Sequence, residues 1–120
     1  MQANALFGSN FPMQVEPLIY NLASNMAENY NGGYWEFYIL DNDGFYMAPG
    51  AGGPFRVSCS NGYEGMLSAD AFGITVCLYA YSLLSFECDD MAKIYGQHYH
   101  WLRDYMLDHG EAESILRAID

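Results

Sequence analysis

The chain has 120 residues, of which 52% are hydrophobic and 17% aromatic, and this composition excludes a disordered protein. Four Lys and Arg oppose 15 Asp and Glu, giving a formal net charge of −11. Because phosphate backbones repel such a protein, direct DNA or RNA binding is not expected, and the length predicts a single domain over residues 1–120.

The first predicted element is a helix from about Glu16 to Tyr30. Pro17 suits the first turn of a helix. Apolar residues recur at helical spacing from Leu18 to Met26. Asn31–Gly33 follows, and glycine accepts the left-handed backbone conformation that closes a helix. We therefore expect the helix to end there.

A β-hairpin is predicted next, within the segment YNGGYWEFYILDNDGFYMAP, Tyr30–Pro49. β-Favouring side chains fill Tyr34–Leu40 and Phe45–Ala48. Asp41–Gly44 between them is a turn signal. One face of the first strand carries three large apolar side chains: Trp35, Phe37 and Ile39. The other face is also largely apolar, so helices or loops are expected to cover much of both.

Two further strands are predicted after the hairpin. Pro49–Pro54, with the sequence PGAGGP, is typical of a flexible connection. Phe55–Cys59 alternates as a third strand would, and Tyr63–Ser68 contains a short fourth.

The remainder of the chain is predicted to be helical. Ser68 is a good N-cap for a helix over Ala69–Phe86, which is apolar nearly all round and should be central and buried. A second helix, capped by Asp89, runs to about Asp108, and a last short one covers Glu111–Ile119. The apolar stripe of the second helix comprises Met91, Ile94, Tyr95, His98, Leu102 and Tyr105. Together the elements predict an α+β domain, in which about four helices pack on one small antiparallel sheet of three or four strands.

Patterns for catalysis or metal binding are weak. His98 and His100 lie two positions apart, so on a helix their side chains diverge by about 200° and cannot share one ion. His98 is expected to pack within the apolar stripe instead. No G-x-S-x-G is present, and Gly50–Gly53 lacks the Lys and Ser or Thr of a phosphate loop. We therefore expect no catalytic residue, no cofactor-binding residue and no metal ligand.

The cysteines indicate the compartment. Cys59, Cys77 and Cys88 are odd in number and include no C-x-x-C pair, which favours free thiols in a reducing cytoplasm. Ala71–Phe86, a stretch of sixteen uncharged residues, is too short to span a bilayer. Membrane association is therefore not expected.

The excess of carboxylates raises the possibility of DNA mimicry. A mimic needs carboxylates spaced like phosphates, whereas those in the first half are scattered, and Arg103 and Arg117 interrupt the denser C-terminal group. A solvated acidic face is therefore favoured over full mimicry. Glu111, Glu113 and Asp120 flank the apolar side of the last helix, and we expect them to reach solvent. One hypothesis is that they contact a partner; the favoured interpretation is that the two glutamates only complement the N-terminus of that helix.

The hairpin segment resembles the ArdB/KlcA antirestriction proteins, which are carried on plasmids, phages and genomic islands. The similarity continues through FRV at Phe55–Val57, LSADAFGI at Leu67–Ile74, LSF at Leu84–Phe86 and the C-terminal segment Tyr99–Asp120. The resemblance implies relief of type I restriction, so that incoming mobile DNA survives in a new host. It also implies no catalytic residue, no cofactor and a shape unlike that of the elongated acidic DNA mimics.

Two hypotheses about function follow. The leading one is a cytoplasmic inhibitor of a type I restriction-modification complex that acts through direct or indirect protein contacts, without binding nucleic acid or membrane. The alternative is a small-molecule or cation-binding domain, or a cryptic hydrolase, that uses Glu36, Asp70 or the Glu87–Asp90 turn. A deep cleft with converging carboxylates would favour the alternative.

Overall fold

The computed structural model describes residues 14–87 and 91–120, which form an α+β domain. In chain order the described elements are α1 (Glu16–Met26), β1 (Trp35–Ile39), β2 (Phe45–Pro49), β3 (Phe55–Ser58), β4 (Glu64–Leu67), α2 (Ala69–Glu87), α3 (Ala92–Met106) and α4 (Ala112–Ile119). The predicted class and the four helices are confirmed. The predicted cap at Asp89 lies outside the described residues.

The described strands form two separate two-stranded antiparallel sheets, so the prediction of one sheet of three or four strands was wrong. β1 pairs with β2, and β3 pairs with β4. Between the two hairpins Gly52 and Gly53 adopt positive φ angles of 86° and 81°, which turn the chain away from β2. Val57 of β3 is instead bridged to Ala27, which follows α1. The strand edge that would have joined the sheets is therefore used elsewhere.

That same bridge ends α1 earlier than the predicted Tyr30. Ala27 has extended backbone angles, φ −130° and ψ 117°, which pairing with a strand requires. Tyr30 then lies beyond the helix and accepts a hydrogen bond from the Trp35 indole N–H at 2.9 Å. The hydroxyl satisfies the one polar atom of this buried ring, which is 2% exposed. Trp35 is thus a core residue, as its place on the strand predicts.

The helix α2 is the centre of the fold and packs against β2 and against the other three helices. It approaches β2 so closely that a Cβ added at Gly73 would lie 2.3 Å from the Cβ of Ala48 and 2.5 Å from the carbonyl oxygen of Met47. Ala69–Phe86 is long and apolar enough to cross a membrane, so the argument from its uncharged length does not hold, but 61% of it is buried inside the protein. Burial therefore identifies it as a core helix.

The apolar stripe of α3 is only partly buried. Tyr95, His98 and Leu102 face the core, as predicted. Ile94 and Tyr105, at the margins of the stripe, remain 40% and 41% exposed. The stripe is wider than the surface that α2 and the hairpin cover, so its edges meet solvent.

Candidate functional site

A hydrogen-bonded network joins β2, the start of α2 and the segment before α4. The Tyr46 hydroxyl donates to Asp70 Oδ1 at 2.6 Å, and His109 Nε2 lies 2.8 Å from Asp70 Oδ2. The backbone N–H of Glu111 donates to His109 Nδ1 at 2.9 Å. Because Nδ1 is an acceptor, the proton of the neutral ring lies on Nε2, which donates to Asp70. Burial is the main cause that raises the pKa of Tyr46, and the hydrogen bond to Asp70 adds to it. The Tyr46 hydroxyl therefore keeps its proton and remains a donor.

The Glu111 side chain extends this network to the N-terminus of α2. Its Oε1 accepts the Ser68 backbone N–H at 3.0 Å, and its Oε2 accepts the Ser68 hydroxyl. Ser68 Oγ in turn accepts the backbone N–H of Ala71 at 3.2 Å, which confirms the predicted N-cap. In a capping box the acid comes from the helix's own third residue. Here it comes from the segment before α4, so one carboxylate caps α2 and holds the C-terminal segment to it.

The network contains Ser68, His109 and Asp70, which are the residue types of a hydrolytic triad, but not in the arrangement of one. In a triad one ring nitrogen is bound to the acid and the other receives the proton of the nucleophile. Here the second nitrogen accepts the backbone N–H of Glu111, and the Ser68 hydroxyl donates to the Glu111 carboxylate. No ring nitrogen of His109 is therefore available to activate Ser68. These hydrogen bonds instead hold the segment before α4 against the start of α2, which is a structural role.

Glu36, another carboxylate considered for catalysis or cation binding, is also engaged in a contact within the protein. Glu36 accepts a hydrogen bond from the Tyr38 hydroxyl at 2.8 Å, and this bond raises the pKa of Tyr38 to about 12. Across residues 14–87 and 91–120, no three His, Cys, Asp or Glu side chains are placed to hold a metal ion together. The Glu87–Asp90 turn lies outside the residues whose side chains are described.

The prediction that His98 packs within the stripe is confirmed. Its ring lies 5.7 Å from that of Tyr81 and 5.1 Å, edge-on, from that of Trp101. Burial lowers the pKa of His98 to about 4, so the ring is neutral near pH 7. His100 is exposed and does not share its surroundings.

The three C-terminal carboxylates occupy different positions. Glu113 and Asp120 are exposed, whereas Glu111 is half-buried in its contact with Ser68. The end of α4 is fixed in place, because the Ala118 carbonyl accepts hydrogen bonds from the Tyr79 hydroxyl and the Asn61 side chain. Two of the three carboxylates therefore reach solvent, Glu113 on α4 and Asp120 directly after it.

A surface feature that the sequence patterns did not identify lies between the β1–β2 turn and α3. It consists of two adjoining recesses of about 480 and 350 Å³, which share Ile39 and which we call the hairpin groove. The first is lined by Ile39, Asp43, Lys93, Ile94, Gln97, His98 and Trp101, and the second mainly by Tyr38, Asp41, Tyr46, Asp104 and Tyr105. The sequence did contain a signal for this groove. The apolar patterns on β1 and α3 include more positions than the core can cover, and the extra apolar side chains line the groove.

Comparison with known proteins gives consistent results. The family model described as "Antirestriction protein" matches residues 28–120. Antirestriction protein KlcA of Escherichia coli is 40% identical over 117 residues, which cover 95% of this chain and 82% of that protein. The uncharacterized protein YafX of Escherichia coli K12 is 42% identical over 111 residues, which cover 88% of this chain and 70% of that protein.

A solved structure also matches over nearly the whole fold. It is described as showing that the KlcA and ArdB proteins have a novel fold and antirestriction activity against type I DNA restriction systems in vivo but not in vitro. The match has a TM-score of 0.89 at 41% identity and covers 98% of this chain and 84% of that one.

Proposed function

Because this chain belongs to the antirestriction protein family, we propose that it relieves type I restriction of incoming mobile DNA in the cytoplasm. The observation that carries the proposal is the agreement of the whole fold with a protein structure for which that activity is described. The resemblance of the hairpin segment supports the same conclusion.

The distribution of carboxylates supports action through protein contacts and not as a copy of a DNA duplex. Asp70, Glu36 and Glu111 bind groups of the protein itself. The exposed Glu113 lies on α4 and the exposed Asp120 directly follows it, and the net charge of −11 repels nucleic acid. Carboxylates that are divided in this way do not reproduce the regular spacing of phosphates.

A non-catalytic, cofactor-free mechanism is part of the proposal. The arrangement of Ser68, His109 and Asp70, with both ring nitrogens engaged, supports it. Protein purified without added metal should contain no stoichiometric metal ion. A bound metal whose removal by a chelator also abolished antirestriction would contradict this part.

We further propose that the C-terminal carboxylates contribute to partner association. A restriction complex must present basic surface to DNA, and the exposed Glu113 and Asp120 can steer the protein toward it. Glu111 supports this surface indirectly, because it holds the segment on Ser68.

The proposal is tested in cells, since the activity described for KlcA and ArdB was seen in vivo but not in vitro. Unmodified phage is plated on a host with an active type I system, with and without the protein, and on the same host lacking the system. Survival should rise only in the restricting host. Equal plating with and without soluble protein would contradict the proposed function.

A further inference from the structure

We propose that the hairpin groove is a docking site for a segment of a partner protein that carries an apolar side chain flanked by Lys or Arg. The proposal deepens the proposed antirestriction function and rests on it for the identity of the partner. Three independent features support it: exposed apolar surface, a preformed shape and the sign of the charge around the groove.

Three large apolar side chains are exposed along the groove. Ile39, Ile94 and Tyr105 are 50%, 40% and 41% exposed; Ile39 lines both recesses, Ile94 the first and Tyr105 the second. Single exposed apolar residues are ordinary on a protein surface, whereas a contiguous set in a recess is typical of an interaction site. The larger recess, at about 480 Å³, has room for one or two large side chains.

The walls of the groove are held in place. The Asn42 side chain donates to the backbone carbonyl of Trp101 at 2.8 Å. A Cβ added at Gly44 would lie 2.9 Å from the Cβ of Trp101, so the turn sits directly on α3. A groove that is already formed loses little conformational entropy when it is occupied, which favours binding.

The second recess is equally rigid, because stacked rings form its wall. The rings of Tyr38 and Tyr46 are stacked at 4.8 Å, and that of Tyr105 lies 5.8 Å from that of Tyr46. The Tyr46 hydroxyl is anchored on Asp70. Fixed aromatic side chains of this kind commonly supply much of the binding energy of an interface.

The charge around the groove selects the occupant. Among the described residues that line it, Asp41, Asp43 and Asp104 are exposed, against the single ammonium group of Lys93. His98 in the first recess adds no positive charge near pH 7, because burial keeps its ring neutral. The rim therefore favours Lys or Arg beside the apolar anchor. It disfavours a phosphate group and an acidic peptide. It also disfavours a second copy of this chain, because the acidic rims of the two copies would repel each other.

Substitution with matched controls tests the proposal in the restricting host. Ile39→Arg and Ile94→Arg place a charge in the groove. Met66→Arg and Leu83→Arg are the controls, since Met66 is 50% and Leu83 40% exposed, equal to their groove counterparts, and neither lines the groove. We expect all four variants to keep the melting temperature of the wild type. Protection of phage DNA should fall about tenfold or more in the groove variants alone.

Folded groove variants that protect as fully as the wild type would overturn the docking site and leave the antirestriction function standing. A wild-type protein that gives no protection would instead refute the function. In that case photo-crosslinking in the same cells still tests whether the groove binds a partner. Benzoylphenylalanine is placed at the exposed groove residue Gln97 and, as the control, at Met66.

The crosslinking arm identifies the occupant. The proposal predicts an adduct from position 97 and not from position 66. It also predicts that the captured peptide contains Lys or Arg beside an apolar residue and that Ile94→Arg abolishes the adduct. The absence of an adduct, an adduct between two copies of this chain, or capture of an acidic peptide or nucleic acid would each overturn the proposal.

Discussion

Replacement of Gly73 by alanine tests the packing at the centre of the fold. An added Cβ would lie 2.3 Å from the Cβ of Ala48 and 2.5 Å from both its Cα and the carbonyl oxygen of Met47. Ordinary carbon–carbon contacts are about 3.5–4.0 Å. Either α2 or β2 would therefore have to move by about 1 Å, although Cys77 also ties α2 to the backbone of Met47.

The expected loss of stability combines two opposing effects. Alanine is favoured over glycine inside a helix by about 0.5–1 kcal/mol. Overpacking costs about 1–3 kcal/mol, and the upper end applies because the clash involves backbone on the opposing strand. The net loss is about 2 kcal/mol, which corresponds to a melting temperature about 8 °C lower for a domain of this size.

Gly96 on α3 provides the matched control, since a Cβ added there meets no atom within 4 Å. Gly96→Ala should therefore show the helical gain alone and melt about 3 °C higher than the wild type. Thermal unfolding followed by circular dichroism measures both variants. If Gly73→Ala melts at or above the temperature of Gly96→Ala, the close approach of α2 to β2 is refuted.

Three further predictions concern buried and exposed side chains. Trp35→Ala should destabilise the protein by about 3–5 kcal/mol; an unchanged melting temperature with lost protection would show instead that the ring contacts a partner. Burial lowers the pKa of His98 from 6.5 in the unfolded chain to about 4 in the folded protein, so the unfolded chain takes up the proton first as the pH falls. The free energy of unfolding should therefore fall by about 3 kcal/mol as the pH drops from 6.5 to 4. In urea unfolding at several pH values, His98→Leu should lack this component, and an identical pH dependence in both proteins would refute the assignment. The double variant Glu113→Gln and Asp120→Asn should keep its stability but protect phage less, and full protection by the folded double variant would exclude these two carboxylates as a contact site. Glu111→Gln should instead melt at a lower temperature, because it weakens the hydrogen bonds to Ser68.

The helices were largely predictable because their patterns are local. Ser68 was recognisable as an N-cap, and the apolar run after it as a buried helix, since both depend on neighbouring residues. The early end of α1 was not predictable, because Ala27 leaves the helix to pair with Val57, thirty positions later. The split into two sheets has the same origin, a long-range pairing that competes with a local preference.

The polar network could not be assembled from the sequence either. Asp70 and His109 are 39 positions apart, and their 2.8 Å contact depends on how α2 and the C-terminal segment pack. Glu111 was expected to reach solvent from its position near the last helix. Hydrogen bonds from the backbone N–H and the hydroxyl of Ser68 instead hold its side chain half-buried. The hairpin groove was not predictable for a related reason. Periodicity shows which apolar residues share a face, but not whether other elements pack over Ile39 and Ile94.

The most direct test of the central claim is the ratio of plaques formed by unmodified and modified phage on a type I restricting host. Modified phage escapes the restriction system, so the ratio isolates restriction from any general effect on phage growth. Expression of the wild-type protein should raise the ratio toward one, and destabilised Gly73→Ala at equal expression should raise it less. A ratio that the soluble, folded wild-type protein leaves unchanged would contradict the claim that this chain relieves type I restriction.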